Sequence, residues 1–254
     1  MIKELVFGVI GGLGLFIYGI WEMSEGLNKA CEDRMRRILY NFTGNPIKGV
    51  LLGTGITSLI QSSGLTQKMV SLTMDSFFKN VLKPLESITR NEEAVDSLRE
   101  AITRYLVELM QRELSLEDSR KIPALIHAIN DVERIGDYAE NLKDLAEQKI
   151  ESHLSFSPIA IEELNKMYND INVMINCLIN AMKSNNIDEA KLVLEQEIQI
   201  NILRDRLKNN HVKRLEKGEC NVLSGIVFLD IISIFEKIGD HLTNVAQAVI
   251  ESLK

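Results

Sequence analysis

Two nine-residue stretches of the chain are near copies of each other, Glu133-Arg-Ile-Gly-Asp137-Tyr-Ala-Glu-Asn141 and Glu236-Lys-Ile-Gly-Asp240-His-Leu-Thr-Asn244. Each places Glu, Asp and Asn at i, i+4 and i+8, which is one face of an α-helix. Like charges at i, i+4 destabilise a helix by about 0.2–0.5 kcal/mol, and a mid-helix glycine costs roughly 1 kcal/mol more. A sequence that carries both penalties twice gains something at these positions, and stacked carboxylates gain most from a cation. The repetition also constrains the fold to a duplicated helical unit.

The duplication extends beyond the motif. Glu92 and Asp96 correspond to Glu197 and Asn201 at an offset of 105 residues, and Arg99 corresponds to Arg204 in the same register. Glu133 and Asp137 correspond to Glu236 and Asp240 at an offset of 103. A period near 100 residues is too long for a solenoid and reads as one tandem duplication of a three-helix unit.

Punctuation along the chain supplies the helix limits. Val70, Met74, Phe77, Val81, Leu85 and Ile88 recur at three- and four-residue spacing, with Pro84 bending or ending that first helix. Thr89-Arg-Asn-Glu92 reads as a capping box opening a second helix to about Arg112. Ser115-Leu-Glu-Asp118 opens a third, running to about Ile150. Ser157-Pro158 opens a fourth to about Lys183, and Asn186-Ile-Asp-Glu189 a fifth closed by Gly218. Asn221 opens the sixth. Short loops make neighbouring helices antiparallel. The expected fold is all-α, two tandem three-helix bundles over 66–152 and 153–254, preceded by a membrane segment over 1–65.

That N-terminal segment differs in character. Leu5 through Trp21 carries no charged residue and Ile47 to Ser63 only Lys48. The first run sits at the short limit for spanning a bilayer, and its glycines favour close packing against another membrane helix. A signal peptide is the competing reading, but Trp21-Glu22-Met23 lacks the small residues of a cleavage site. Lys29, Arg34, Arg36 and Arg37 follow the run while only Lys3 precedes it, which places the downstream side in the cytoplasm. Residues 22–45 read as a basic amphipathic helix on the membrane surface. The second run ends on Gln61-Ser62-Ser63, which fits a re-entrant or broken helix, with an ordinary helix as the alternative. The expected location is the inner membrane, with a cytoplasmic C-terminal domain.

Composition narrows the chemistry. A net charge of −7 without a basic run argues against nucleic acid as a partner. Cys31, Cys177 and Cys220 form no CxxC pair and read as reduced thiols. If the polar faces meet, Glu92/Asp96 oppose Glu133/Asp137, and Glu197/Asn201 oppose Glu236/Asp240. Carboxylates that close cannot all stay ionised without help. Hard cations with oxygen ligands, such as Mg, Mn, Fe or Ca, supply that help. A Cys-rich zinc site is excluded by spacing, and a ferritin-like di-iron site lacks its Glu-x-x-His pairs. Asn201 in place of an acid weakens the second set, which His211 and His241 could extend. Clustered metals can activate water, so a metal-dependent hydrolase is a lower reading, but no separate general base appears and the expectation is not an enzyme.

The strings EEAVDSLREAITRYLVEL…LSLEDSRKIPALIHAINDVERIGDYAENL and EQEIQINILRDRLKNNHVKRLEKGECNVLSGIVFLDIISIFEKIGDHLTNVA resemble the two halves of a PhoU-like domain, over roughly 67–254. The resemblance implies two three-helix bundles, a role in phosphate regulation, and E/DxxxD motifs that hold a multinuclear metal cluster (Fe, Zn, Mn or Mg). By position, its ligands are Glu92, Asp96, Glu133, Asp137, Glu197, Glu236 and Asp240, with Asn201 as a departure. GGLGLFIYGIWEMSEGLNKACEDRMRRIL and NPIKGVLLGTGITSLIQSS are similar to the opening of the bacterial sodium/phosphate cotransporter family. That likeness implies a vestigial ion and phosphate site at Gln61, Ser62 and Ser63, whose second repeat is missing. Alternating access needs a site between two repeats, so transport by this chain alone is not expected unless it self-associates. The expected function is a membrane-tethered, metal-binding regulatory module in phosphate homeostasis, with a transporter or phosphate-signalling protein as partner. The alternative is a sodium-dependent phosphate symporter or a subunit of one, taking inorganic phosphate and sodium.

Overall fold

Helices account for all the regular structure among the described residues. The computed structural model describes the backbone of residues 46–111 and 116–253, and the side chains of 53–111 and 121–253. In chain order the elements are α1 (Pro46–Lys79), a 3₁₀ turn (Lys83–Ser87), α2 (Ile88–Met110), α3 (Leu116–Glu151), α4 (Pro158–Ser184), α5 (Ile187–Glu216) and α6 (Val222–Ser252). The chain divides after Thr54 into two compact units. The first lies almost wholly outside the described residues, and with it the apolar run 5–21, the basic segment 22–45 and Cys31. Among the described residues no helix is long and apolar enough to cross a membrane. α1 passes through Gln61-Ser62-Ser63 without a break, so residues 47–63 follow the ordinary-helix alternative.

Three of the caps work as their sequences suggest. Ser157 is extended and its side chain accepts from Ala160 N, with Pro158 in the first turn where its missing N–H costs nothing. Asn186 and Asn221 accept from Asp188 N at 3.0 Å and Leu223 N at 2.8 Å. Gly218 takes the left-handed φ of +68° just after α5. The Thr89 capping box does not form. The 3₁₀ turn, with Pro84 near its start, runs directly into α2, so Thr89 is already helical and its hydroxyl reaches Glu140 at 3.4 Å.

Residues 55–79 of α1 complete a bundle with α2 and α3. A Cβ on Gly55 would touch Leu106 of α2 and Leu125 of α3, and Thr66 of α1 approaches Gly136 of α3. α4, α5 and α6 pack mutually into the second bundle, and α3 lies along α6, which joins the two. α6 buries Phe228, Ile231, Phe235, Ile238, Leu242 and Val245 at about one helical turn apart. Each such side chain removed from water contributes roughly 1.5–3 kcal/mol. At the far end, Lys149 is 5% exposed and donates to Phe77 O and to Asn80 Oδ1, with its ammonium 4.3 Å from the Phe77 ring centroid. It caps the C-terminus of α1, where free carbonyls and the helix dipole both favour a cation.

Candidate functional site

The offset of 105 places two arginines at the same station of α2 and α5, and each ties its helix to a glutamate on the next. In the first bundle, Arg99 donates to Asp96 Oδ1 from Nε at 3.0 Å and from Nη2 at 2.6 Å, and its Nε lies 3.5 Å from Glu133 of α3. Arg134 pairs with Asp137 at 3.3 Å. In the second bundle, Arg204 pairs with Glu236 of α6, and Asn201 donates to Glu197 one turn before it. Lys237 lies 3.4 Å from Glu236 and 3.6 Å from Asp240.

Burial pushes the Glu92 carboxyl above its ordinary value, and the charges of Glu140, Asp137, Asp96 and Glu133 push it further. Burial also raises Glu133, as does Asp137, while Arg99 and Arg134 pull the other way. The Arg99–Glu133 pair at 3.5 Å and the Thr89–Glu140 contact at 3.4 Å bring these two helix faces side by side. Glu140, one turn beyond Asp137, belongs to the same group although it is not one of the Glu, Asp and Asn positions that the two stretches share. Its counterpart at the offset of 103 is Thr243, so the second repeat lacks that charge.

In the second cluster the ammonium of Lys237 is held above its usual value, first by the charge of Glu236, then by its hydrogen bond and by Asp240. Asn201 supplies the other informative atom. Its Nδ2 is spent on Glu197, and its Oδ1 is buried without a hydrogen-bond partner. A buried acceptor left unpaired costs about 1–3 kcal/mol, and an oxygen-seeking cation is one group that satisfies it.

By chemistry both sets suit a hard cation: each offers oxygen donors from two helices, the first has carboxyls raised by burial and then by neighbouring carboxylates, and the second has an orphaned amide oxygen. Among the described residues, no three His, Cys, Asp or Glu side chains already stand in the arrangement of a metal cage. In both clusters a guanidinium acts as the counter-ion, and a metal would have to displace it.

Other expected participants lie elsewhere. His241 turns to the other bundle, where its Nδ1 meets Asp131 Oδ1 at 2.7 Å beside Asn244, which donates to the same oxygen at 3.1 Å. The carboxylate only accepts, so Nδ1 is the protonated nitrogen. His211 lies ten residues beyond Asn201 on α5, about 15 Å by helical rise, and serves a different cavity. Neither extends the second cluster. Gln61 is exposed, whereas Ser62 and Ser63 are buried, with Ser63 Oγ donating to Leu59 O at 2.8 Å, so the three side chains do not share one face. Gly136 and Gly239 of the repeated motif are buried against Thr66 and Val95, and against Ile200 and Ile171. Their place in the motif thus has a packing reason, next to the acidic face, where α3 meets α2 and α6 meets α5.

Comparison with known proteins agrees with this architecture. The PhoU domain family matches residues 59–146 and again 164–249, and the Na+/Pi-cotransporter family matches residues 15–79. A Clostridium acetobutylicum protein described as a phosphate-specific transport system accessory protein PhoU homolog is 24% identical over 197 residues, covering 76% of this chain and 88% of that protein. Salmonella typhimurium YjbB, a candidate inorganic phosphate exporter, is 21% identical over 187 residues, which cover 70% of this chain but only 34% of YjbB. The crystal structure of PhoU from Pseudomonas aeruginosa superposes with a TM-score of 0.74 at 20% identity, over 80% of this chain and 97% of that one. PhoU from Streptococcus pneumoniae gives 0.72 at 18% identity, over 81% and 96%. With more than half of its residues inside two successive PhoU domain matches, the chain belongs to the PhoU domain family.

Proposed function

We propose that the chain is a non-enzymatic, metal-binding accessory module of phosphate transport, tethered to the membrane by its N-terminal segment. The observation that carries this reading is the pair of acidic clusters at equivalent stations, Glu92, Asp96, Glu133 and Asp137 between α2 and α3, and Glu197, Asn201, Glu236 and Asp240 between α5 and α6. A bound cation would supply positive charge that locks each helix pair and relieves the repulsion on Glu92 and Glu133. The chain's own part is to hold oxygen donors on two rigid helices and to release Arg99 and Arg204 when the cation enters. The bundle surfaces then dock against a transporter or a phosphate-signalling protein. The name of the Clostridium relative, a phosphate-transport accessory protein, supports that role.

Elemental analysis of protein purified without chelator tests it. Wild type should carry transition metal or magnesium, and Glu133→Gln/Asp137→Asn should lose the share held by the first cluster. Equal occupancy in the two proteins removes the role assigned to the motif. The cotransporter match over 15–79 favours a second reading, a sodium/phosphate symporter subunit. Uptake of labelled phosphate by proteoliposomes that requires sodium and is abolished by Gln61→Ala would replace the first reading with the second.

A further inference from the structure

A cavity of about 240 Å³ lies at the end of the second bundle, between the start of α4, the end of α5 and the start of α6. His211, Arg214 and Ser224 line it and are 2%, 7% and 3% exposed. Each keeps a buried polar atom without a hydrogen-bond partner: His211 Nε2, Arg214 Nε and Nη2, and Ser224 Oγ. Leaving that many polar groups unpaired is costly, and most of the vacant valences are donors. Arg214 is fixed rather than free. Its Nη2 lies 2.8 Å from Glu163 Oε2, close enough for an ion pair but misaligned for a hydrogen bond, and its guanidinium sits 5.2 Å from the Phe228 ring centroid. The other Glu163 oxygen is occupied by Asn210.

Two long helices begin at this cavity. Ala160 in the first turn of α4 and Ser224 in the first turn of α6 both line it, so the positive ends of two helix dipoles converge there. Gly225 is the close-approach residue that makes room, since a Cβ there would lie 2.6 Å from His211 Cε1 and Nε2. Opposing charge comes from Glu163, already committed to Arg214 and Asn210, and from Glu219, which is exposed to water at the rim.

We propose that this cavity binds a small oxyanion of the phosphate and sulfate class, held by the Arg214 guanidinium, the Ser224 hydroxyl and the His211 imidazole, with the dipoles of α4 and α6 favouring its charge. The site is separate from the acidic clusters and does not depend on their binding metal. His211 adds a pH response. Burial, then the Arg214 charge, pulls its pKa below 6.5, against Glu163, which raises it. An anion alongside would favour the protonated ring, so affinity rises as pH falls. Arg214 from α5 and Glu219 and Cys220 from the loop before α6 are the other titratable groups lining the cavity, and Glu163 of α4 acts on His211 from behind Arg214.

The test is calorimetric titration of the full chain with inorganic phosphate, and separately with sulfate, in chloride buffer containing chelator. The chelator removes any anion bridged by metal at the acidic clusters. Wild type should bind at one saturable site, and Arg214→Lys, which keeps the charge but loses the fork, should weaken it about tenfold or more. Ser224→Ala should weaken it several-fold and keeps the test open if Arg214→Lys fails to fold. Binding of sulfate, which stays a dianion across this range, should tighten from about pH 8 to about pH 6 in wild type and respond less in His211→Gln. No saturable binding at about 10 mM phosphate or sulfate overturns the proposal. So does unchanged affinity in a folded Ser224→Ala or Arg214→Lys protein.

Discussion

Three buried glycines on α3 and α6 should answer the same substitution with opposite signs. At Gly136 an added Cβ would meet Thr66 Cγ2 and Val95 Cγ1 at 3.7 Å, and at Gly239 it would meet Ile200 Cγ2 at 3.6 Å and Ile171 Cδ1 at 3.8 Å. These are ordinary van der Waals separations, so nothing has to move. Alanine then gains about 0.8–1.0 kcal/mol of helix propensity, plus part of the roughly 0.8 kcal/mol for a buried methyl. At Gly225 the same atom would sit 2.6 Å from two atoms of the His211 ring. That ring cannot slide away easily, because it is 2% exposed and stacked on Phe228 at 5.3 Å. Overpacking of this kind costs about 1–3 kcal/mol, and Gly225 lies in the first turn of α6, where propensity returns little. At about 2–4 °C per kcal/mol for a domain of this size, Gly239→Ala should raise Tm by about 2–7 °C and Gly225→Ala should lower it by about 2–12 °C. Thermal melts, with urea unfolding to confirm an unchanged m-value, read both. The double variant His211→Ala/Gly225→Ala should be less damaged than the two single effects predict, since the clash is gone. A Gly225→Ala protein as stable as Gly239→Ala would refute the packing argument.

Glu133→Gln should stabilise the chelator-treated protein at neutral pH. The folded state holds its proton to a higher pH than the unfolded chain, so stability falls as pH rises through the window between 4.5 and the raised value, and the gain should vanish in melts below about pH 4.5. Arg99→Gln removes a cross-helix counter-ion that is 28% exposed and should cost about 1 kcal/mol in chelator. The deficit should shrink when divalent metal is added, and a deficit unaffected by metal in a titrated melt would count against release of Arg99. Lys149→Met strands Phe77 O and Asn80 Oδ1 and should cost about 1–3 kcal/mol by urea denaturation. A neutral result there would show that the ammonium does not cap α1.

What the chain reveals before folding depends on the range of the interaction. Ser157, Asn186 and Asn221 cap helices through bonds within two or three residues, so their roles are legible in order alone. Thr89 has the same local spelling, but the 3₁₀ turn ahead of it supplies the helix start, and its hydroxyl goes to Glu140 instead. The match of Arg99 to Arg204 is visible as register, yet their function as counter-ions needs the angle between paired helices. Asp131 with His241 is further out of reach, because the bond spans 110 residues and links two bundles. His211 shows why a histidine near an acidic motif is a poor guide. Ten residues along a rigid helix carry it about 15 Å to another set of neighbours. The glycines gave the opposite lesson, since a cost read as evidence of a cation has a packing reason in the contact of Gly136 with Val95 and of Gly239 with Ile200.

Whether carboxylates from adjacent helices enclose a shared cation is decided by crystals of the full chain, grown without chelator and measured on either side of the absorption edge of the metal found by elemental analysis. An anomalous peak is expected between α2 and α3 within about 2.0–2.3 Å of Glu133 and Asp137 oxygens, with Arg99 displaced from Asp96. No peak there, with Arg99 still bridging Asp96 and Glu133 in metal-loaded protein, would contradict a shared cation.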